Sequence, residues 1–341
     1  MLHSIALYIK QKIAERNHKL SSFAVVSKHD GSMHQEFMDS FGSSMIYPHH
    51  DMSAVLDKHD RARYILEQTK PKLVYVNTID SYEYAVEAKK LNIPTIFHVH
   101  ELENAFDIVL GKNKFAFKSY ADEFIVPSQA VKKLLENTLK CSSEHVHLVP
   151  ECIDIELVRK NADLIPSKDI RAQLGARPDQ KIIIGVGTFI KRKGADLFAK
   201  IASHTEHRFP GKYKFVWIGR TPNFYDSLSL GPIPLNSFIH IEETPNPFPY
   251  IKAADVLALT SREDPFPLVV LEAMSLGVPS VVFEKSGGAM EAIKNCGISV
   301  TEFDTKEMAT AIASMCEDEI LYKSFSEKAI ADSHEYDVTY H

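Results

Sequence analysis

The chain has 341 residues, with 39 Lys and Arg against 45 Asp and Glu, so its formal charge is −6 when histidine is neutral. Hydrophobic residues make up 45% and charged residues 25%, which excludes a disordered chain, a collagen and a coiled coil. The net acidity argues against nucleic acid as the main partner, because a phosphate backbone is bound by a basic face. At roughly 100–200 residues per domain, the length favours two domains.

The composition also predicts a protein of the reducing cytoplasm. The longest apolar run, Ile182–Ile190, covers about nine residues, less than half of the ~20 that span a bilayer. At the amino terminus, Lys10 and Lys12 come too early for the apolar core of a signal peptide. Four scattered cysteines do not form a disulfide framework or a Cys-x-x-Cys metal site. We therefore expect a cytoplasmic protein, and peripheral contact with the inner membrane surface stays open.

The predicted elements of the first half alternate between short β-branched runs and helical segments. Apolar residues at helical spacing predict a first helix over residues 2–13. The strand candidates are residues 21–27, 44–47, 73–77, 95–99, 123–127 and 145–150. The helix candidates between them are residues 54–69, 82–90 and 130–139. Because this alternation is typical of a parallel sheet covered on both faces, it predicts an α/β domain.

A second series of strands follows a polar stretch that contains Pro166 and Pro178. These strand candidates are residues 181–189, 213–219, 237–242, 254–261 and 279–283. The chain is thus predicted to contain two open α/β units joined within residues 160–180. In such sheets ligands bind just beyond the carboxyl ends of the strands, so the residues at those ends are the candidates for function.

The loop after the first strand of the second series has features of a diphosphate site. Gly187 and Gly194 permit a close approach of backbone. The loop also holds three cations, Lys191, Arg192 and Lys193. They lie beside a predicted helix N-terminus, which favours an anion as well. The alternative is a solvated basic turn. The loop is neither a P-loop nor a dinucleotide-binding G-x-G-x-x-G turn, because neither spacing occurs.

Two carboxylates follow the strand candidate at residues 254–261. Asp264 precedes a helix that Pro267 is suited to begin, and Glu272 lies about one and a half turns inside it. Because apolar residues surround Glu272, a ligand such as a ribose with two hydroxyls is expected to satisfy its carboxylate. The alternatives are a helix cap for Asp264 and a partly exposed surface acid for Glu272.

Two further loops are candidates. Residues 283–291 follow a strand and contain the pair Gly287-Gly288, for which functional and structural roles are equally open. In the first half, alternation puts His98 and His100 on one face of a strand end. For a histidine at a strand end, a structural role is commoner than a catalytic one. The two neighbouring histidines also suggest a metal site, but no third ligand with zinc-like spacing follows. No D-x-D sequence occurs, and we expect neither a metal nor a cofactor.

Together these residues resemble the retaining glycosyltransferases of family four (glycosyl transferases group 1), which have the GT-B architecture. The resemblance extends from about Ala6 to Ala329. Its specific part is residues 181–300, which hold the G-x-x-x-x-x-K-G loop, the acidic pair eight residues apart and the Gly-Gly-x-x-Glu sequence. In the first half it rests on residues 73–77, 98–101, 126–128 and 149–154.

The resemblance implies an α/β protein with two Rossmann-like domains facing across a cleft. Residues 1–165 would form the acceptor-side domain, residues 166–325 the nucleotide-sugar-binding domain, and residues 326–341 a helix that crosses back to the first domain. Lys193 would neutralise the donor diphosphate, Asp264 would contact the transferred sugar, and Glu272 would bind the ribose. His100 would face the sugar from the other domain. The other donor-binding residues that the resemblance implies are Gly187, Thr188, Arg192, Phe266, Leu268, Glu243 and Thr244.

The sequence departs from the family pattern in several places. Asp264 stands where the pattern usually has Glu, and Thr188 where it usually has Arg, which leaves a neighbouring cation to supply the missing charge. Pro265 and Pro267 replace two glycines and remove backbone N–H donors. The first strand and the Gly-rich acceptor loop are expected before Leu2, so we expect either a truncated chain or an incomplete acceptor site.

The function expected from these residues is metal-independent, retaining transfer of a hexosyl group from a nucleoside diphosphate sugar. The acceptor would be a saccharide or a lipid-linked compound, in the assembly of a surface polysaccharide or another glycoconjugate. Two alternatives stay open: a catalytically silent nucleotide-sugar-binding protein of the same fold, and a GT-B nucleotide-sugar epimerase. The sequence does not determine the base, the sugar or the acceptor.

Overall fold

The computed structural model describes residues 25–27, 46–48, 57–222 and 237–340. The chain divides into two compact units, the first unit being Met1–Val126 with Lys132–His147 and the second unit Pro127–Val131 with Leu148–His341. The main division falls after His147, earlier than the boundary expected at 165/166. The helix expected at residues 2–13 lies outside the described residues. The return of the last helix to the first domain stays a prediction.

Short parallel strands and the helices between them form the first unit. β1 (Val25–Ser27) and β2 (Ile46–Pro48) pair in parallel. A separate four-stranded sheet has the order β3-β4-β5-β6, with β3 (Val74–Asn77), β4 (Thr95–His98), β5 (Glu123–Val126) and β6 (Val146–Leu148). The helices are α1 (Lys58–Thr69), α2 (Tyr82–Lys90), α3 (Glu103–Val109) and α4 (Gln129–Lys133), the last of which spans the division between the units.

The core of the first unit is built around Phe117. The Phe117 ring centroid lies 4.9 Å from those of Phe97 and Phe106 and 5.4 Å from that of Phe124, and all four side chains are buried. Phe97 belongs to β4, where successive side chains point to opposite faces. The packing of Phe97 therefore turns the next residue, His98, to the other face of the sheet.

Six parallel strands form the sheet of the second unit, in the order β12-β11-β10-β7-β8-β9. They are β7 (Lys181–Val186), β8 (Tyr213–Ile218), β9 (Phe238–Ile241), β10 (Val256–Leu259), β11 (Ser280–Phe283) and β12 (Gly297–Val300). The first five confirm the predicted strands. β12 was not predicted, because its four residues include only two large apolar side chains.

Helices cover both faces of this sheet. They are α5 (Ile155–Ala162), α6 (Ser167–Gln173), α7 (Ala195–Arg208), α8 (Phe248–Ala253), α9 (Leu268–Ser275), α10 (Ala289–Ile293), α11 (Thr305–Glu317) and α12 (Glu319–Ser333). Ile182 and Ile184 belong to one buried apolar cluster and Ile183 to the other, as expected for a strand buried on both faces. Among the described residues, no helix is both long enough and apolar enough to traverse a bilayer.

The strand order of the second unit reverses between β7 and β10. From β7 the chain moves outward to β8 and β9, then returns to place β10 on the other side of β7 and continues to β11 and β12. In open α/β sheets, the crevice beyond the carboxyl ends of two such strands is where ligands bind. The β7–α7 loop (residues 187–194) and the β10–α9 loop (residues 260–267) both begin at this point.

Candidate functional site

Two glycines shape the β7–α7 loop. The carbonyl oxygen of Gly187, which has a φ of 147°, accepts a hydrogen bond from Trp217 Nε1 at 2.8 Å. Gly194 has a φ of 75°, and a Cβ atom there would lie 1.8 Å from the carbonyl oxygen of Thr260. Because only a glycine tolerates that approach, the end of this loop can lie against the residue that follows β10.

Lys193 and Asp264 meet where β7 and β10 end. Lys193 Nζ lies 2.6 Å from Asp264 Oδ2, and the two side chains are 23% and 8% exposed. Ser261 Oγ donates a hydrogen bond to the same carboxylate oxygen at 3.2 Å. The structure therefore makes direct partners of the two residues that were predicted to contact the diphosphate and the transferred sugar.

The Asp264 side chain is not the cap of α9. The residue before the first helical position is Pro267, and no side chain caps this N-terminus. The backbone of Asp264 pairs with the loop that follows β11, since its N–H donates to the carbonyl oxygen of Ser286 at 2.7 Å. Asp264 is thus held by its backbone from one side and by Lys193 from the other.

The Gly287-Gly288 pair supports the β10–α9 loop. Gly287 has a φ of 136°, and the Gly288 N–H donates to the carbonyl oxygen of Pro265 at 3.0 Å. A Cβ atom at Gly288 would lie 2.5 Å from both Phe266 Cδ2 and the Pro265 carbonyl oxygen. Of the two roles that the sequence left open for this pair, the contacts favour the structural one.

Arg192 and Thr188 occupy defined positions in the β7–α7 loop. Arg192 Nη1 donates to the carbonyl oxygen of Glu263 at 3.1 Å, so this guanidinium is engaged with the β10–α9 loop. Thr188 is half-buried, and its carbonyl oxygen accepts the N–H of Ile190 at 2.8 Å. Lys191 or Arg192 as the source of the charge missing at position 188 stays a prediction.

Glu272 is a half-buried acid on α9, surrounded by the buried side chains of Leu271, Ala273 and Met274 along the chain. Burial raises the pKa of its carboxyl group to about 7. Within the part of the chain that the structure describes, no hydrogen bond or ion pair engages this carboxylate. A desolvated carboxylate without a protein partner is expected to accept hydrogen bonds from a ligand.

The other predicted donor-binding residues differ in their surroundings. Phe266 is buried, with its ring centroid 5.7 Å from that of Tyr336, so its backbone rather than its side chain is available to a ligand at the strand end. Leu268 is 40% exposed and opens α9, where an N–H has no intrahelical partner. Glu243 is exposed and Thr244 half-buried after β9, and among the described residues no hydrogen bond joins either to the β7–α7 loop. All four assignments stay predictions.

His100 lies in the first unit, just beyond β4. Its Nε2 atom is 2.8 Å from Asn77 Oδ1, and its backbone N–H donates to Glu101 Oε2 at 3.0 Å. The ring centroids of His98 and His100 are 3.9 Å apart, which agrees with the prediction that both lie on one face. Burial, followed by the proximity of His100, lowers the pKa of His98 to about 3, so His98 is neutral. The role of His100 toward a sugar stays a prediction.

Sequence reasoning missed Arg262 and Asp196, which lie beside Lys193. The Arg262 guanidinium contacts both carboxylate oxygens of Asp196 at 2.7 Å. The one available signal was an acid in the first turn of α7, three residues after the last of three cations. Nothing in the sequence connects that acid to an arginine 66 residues away.

Comparisons with known proteins identify the family and the fold of this chain. The family model described as "Glycosyl transferases group 1" matches residues 166–332, and the one described as "Glycosyltransferase Family 4" matches residues 4–157. A D-inositol 3-phosphate glycosyltransferase of Corynebacterium kroppenstedtii is 26% identical over 211 residues, which are 58% of this chain and 46% of that protein. The putative teichuronic acid biosynthesis glycosyltransferase TuaC of Bacillus subtilis is 27% identical over 207 residues, which are 60% of this chain and 50% of that protein. The chain therefore spans about half the length of these curated relatives.

Solved structures extend the likeness to the whole chain. HepE (Alr3699) of Anabaena in complex with UDP matches with a TM-score of 0.75 and 19% identity, covering 99% of this chain and 93% of that one. The same protein has been solved with UDP and glucose and with UDP-glucose. The fold is that of the GT-B glycosyltransferases. The chain belongs to the glycosyltransferases of group 1, of the family-four type.

Proposed function

We propose that this protein transfers a sugar from a nucleoside diphosphate sugar with retention of configuration at the anomeric carbon. The observation that carries the proposal is the pairing of Lys193 with Asp264, 2.6 Å apart, at the strand reversal of the second unit. At that place a cation can neutralise a departing diphosphate while a carboxylate holds the sugar hydroxyls.

The proposed reaction breaks the bond between the anomeric carbon and the diphosphate oxygen. Lys193 and the N–H groups at the start of α9 stabilise the negative charge that develops on this oxygen. The acceptor hydroxyl attacks the same face of the sugar and gives its proton to the departing phosphate oxygen. Since Lys193 provides the counter-charge, we propose that no metal is required.

The proposed donor is a uridine diphosphate sugar. Support comes from the ligands printed for the HepE structures, which are UDP, UDP-glucose and glucose. The half-buried Glu272, whose carboxylate is desolvated, is proposed to accept the two ribose hydroxyls. The proposed acceptor is a saccharide or a lipid-linked compound of surface polysaccharide assembly, in line with the name of the teichuronic acid relative.

A calorimetric titration tests the donor half of the proposal. UDP and UDP-glucose are expected to bind, and ADP and GDP to bind more weakly. Glu272→Ala is expected to weaken UDP binding, whereas Lys212→Ala, which removes an exposed lysine paired with Glu317 at 3.2 Å, serves as the control. If no nucleoside diphosphate binds at concentrations up to millimolar, the proposal is wrong.

A transfer assay with UDP-glucose tests the catalytic half. Release of UDP in the presence of saccharide or lipid-linked acceptors, and slow donor hydrolysis without them, is expected. Analysis of the product by NMR reports the anomeric configuration, and an inverted product contradicts retention. Binding of UDP without any release from UDP-glucose would favour the silent nucleotide-sugar-binding protein.

A further inference from the structure

The Arg262 guanidinium lies on the second unit between the two loops that meet at Lys193. Its Nη1 and Nη2 atoms donate to Oδ1 and Oδ2 of Asp196, each at 2.7 Å, in a two-pronged ion pair. Nη1 also donates to the carbonyl oxygen of Lys191. Asp196 stands in the first turn of α7, so one side chain of the β10–α9 loop holds both the loop before this helix and the helix itself.

Backbone and side-chain contacts join the same two loops beside this pair. The N–H of Arg262 donates to the carbonyl oxygen of Arg192 at 2.8 Å, and Arg192 Nη1 donates to the carbonyl oxygen of Glu263 at 3.1 Å. Carbonyl groups of residues 191 and 192 are therefore both fixed by Arg262. The next residue along the chain is Lys193.

The ion pair is shielded from water. The side chains of Arg262 and Asp196 are 25% and 12% exposed, and the Phe303 ring centroid lies 5.9 Å from the guanidinium carbon. Burial by itself would raise the pKa of Asp196, but the hydrogen bonds and the positive charge of Arg262 together outweigh it and hold this pKa below its usual range. Asp196 is thus ionised at neutral pH, and its partner is a fixed charge.

We propose that Arg262 and Asp196 are positioning residues that hold the Lys193 ammonium where the departing diphosphate forms. The proposal rests on the function proposed above, in which Lys193 stabilises that diphosphate. A planar guanidinium can satisfy two carboxylate oxygens and a carbonyl oxygen at fixed angles, which the single ammonium of a lysine cannot reproduce. Loss of the two-pronged ion pair between Arg262 and Asp196 would let residues 191–193 move. A displacement of about 1 Å at a catalytic group, here the Lys193 ammonium, costs up to 100-fold in rate.

The test compares Arg262→Lys and Asp196→Asn with a matched pair elsewhere in the same unit. Arg171 is the control, because its Nη1 lies 3.0 Å from Asp255 Oδ2 and it also donates to two carbonyl oxygens, those of Ala253 and Gln180. This second ion pair lies beside the opposite, amino ends of β7 and β10. Arg171→Lys therefore removes a guanidinium that binds one carboxylate oxygen and two carbonyl oxygens beside the same two strands, at the end away from Lys193.

We expect Arg262→Lys and Asp196→Asn to lower kcat by roughly 10-fold to 100-fold, with the KM for UDP-glucose and the affinity for UDP within about threefold of the unmodified protein. Arg171→Lys is expected to lower the melting temperature by a similar amount and to leave kcat unchanged. The proposal is wrong if kcat follows the melting temperature across all three variants, or if Arg262→Lys and Asp196→Asn retain full kcat.

Lys193→Ala, measured in the same series, separates this proposal from the proposed function. If Lys193→Ala retains full turnover, the assignment of Lys193 to the diphosphate fails, and with it the function proposed for the loop. If Lys193→Ala loses turnover while the Arg262 and Asp196 variants keep it, only the positioning role fails. Asp196→Asn preserves side-chain size, so it provides the kcat comparison should Arg262→Lys not fold.

Discussion

The Lys193 ammonium and the Asp264 carboxylate form an ion pair with an Nζ–Oδ2 distance of 2.6 Å, in which each group neutralises the other. Both are proposed to act on the donor, one on its diphosphate and one on its sugar. An incoming diphosphate therefore competes with Asp264 for the ammonium. Their mutual contact already orders the two side chains and removes part of their water. Part of the free-energy cost of ordering and desolvating them is therefore met before the donor binds.

The first prediction concerns the removal of the Lys193 side chain. Lys193→Ala leaves the buried Asp264 carboxylate without its cation, so we expect the free energy of unfolding to fall by about 2 kcal/mol, measured in urea at pH 7. Turnover of UDP-glucose is expected to fall by about 100-fold or more, because the departing diphosphate loses its counter-charge.

Asp264→Asn is the companion variant. It keeps the shape of the side chain and the hydrogen bond from Ser261, and we expect it to cost less stability than Lys193→Ala while also reducing turnover. The exposed-lysine variant Lys212→Ala is expected to change neither quantity. Unchanged turnover in Lys193→Ala would contradict the role of this lysine.

The second prediction is a pH-dependent effect of Glu272 on stability. Its pKa of about 7 in the folded protein lies above the ordinary value of 4.5, so the folded state holds a proton that the unfolded state has lost between these pH values. The contribution of protonated Glu272 to stability is complete below about pH 4.5 and is lost as the pH rises through 7. Glu272→Gln removes this titration, so relative to the unmodified protein its free energy of unfolding should rise by roughly 2 kcal/mol between pH 5 and pH 8.

Urea denaturation at the two pH values measures this difference. Glu284→Gln, which neutralises an acid elsewhere in the same unit, controls for the change in net charge. A difference between Glu272→Gln and the unmodified protein that stays constant from pH 5 to pH 8 would show that this carboxyl group titrates normally.

UDP binding gives a third prediction at the same residue. Ribose hydroxyls donate hydrogen bonds to the ionised form of Glu272, so a bound nucleotide lowers the pKa of this carboxyl group. Binding near pH 6.5 should then release a proton from Glu272. Calorimetry in two buffers of different ionisation enthalpy detects this release, and the release should disappear in Glu272→Gln. Equal proton release by the two proteins would assign the linkage to another group.

Much of the second unit could be predicted because its signals are local in sequence. Buried parallel strands appear as continuous apolar runs, and the structure confirms five of the six at their predicted places. The residues at the ends of β7 and β10 could be chosen as candidates because ligands bind beyond the carboxyl ends of parallel strands. That Lys193 and Asp264 touch could not be predicted, since it depends on β10 lying next to β7 and not beside β9.

The features that escaped prediction depend on contacts between distant parts of the chain. Arg262 and Asp196 are 66 residues apart, and each alone is an ordinary charged residue at a loop or helix end. The division after His147, with residues 127–131 belonging to the second unit, also has no compositional signal, because no Pro-rich or Gly-rich linker marks it. The polar stretch around Pro166 suggested the later boundary, but α5 (Ile155–Ala162), which precedes that stretch, belongs to the second unit.

The single tryptophan of the chain gives a fourth prediction. Trp217 Nε1 donates to the carbonyl oxygen of Gly187 at 2.8 Å, so the indole is bonded to the first residue of the β7–α7 loop. UDP bound at this loop should therefore change the intrinsic tryptophan fluorescence, with a half-saturation concentration that matches the calorimetric Kd. Trp217→Phe leaves the carbonyl oxygen of the half-buried Gly187 without its donor, and we expect it to cost about 1–2 kcal/mol in stability. Fluorescence that stays constant while calorimetry shows saturation would place the nucleotide away from this loop.

The fifth prediction separates backbone strain from steric contact at the end of the same loop. Gly194 and Gly175 both have positive φ angles, 75° and 61°, but a Cβ atom at Gly194 would lie 1.8 Å from the Thr260 carbonyl oxygen, whereas at Gly175 nothing lies within 4 Å. Gly175→Ala should thus cost only the backbone strain, about 1 kcal/mol.

Gly194→Ala must in addition push the β7–α7 loop away from the end of β10, which would separate Lys193 from Asp264. We expect a destabilisation of about 3 kcal/mol or more and the loss of UDP-glucose turnover in whatever fraction still folds. Thermal denaturation and turnover measured on both variants distinguish the two causes, because strain alone would give Gly194→Ala and Gly175→Ala the same modest loss of stability and leave both active.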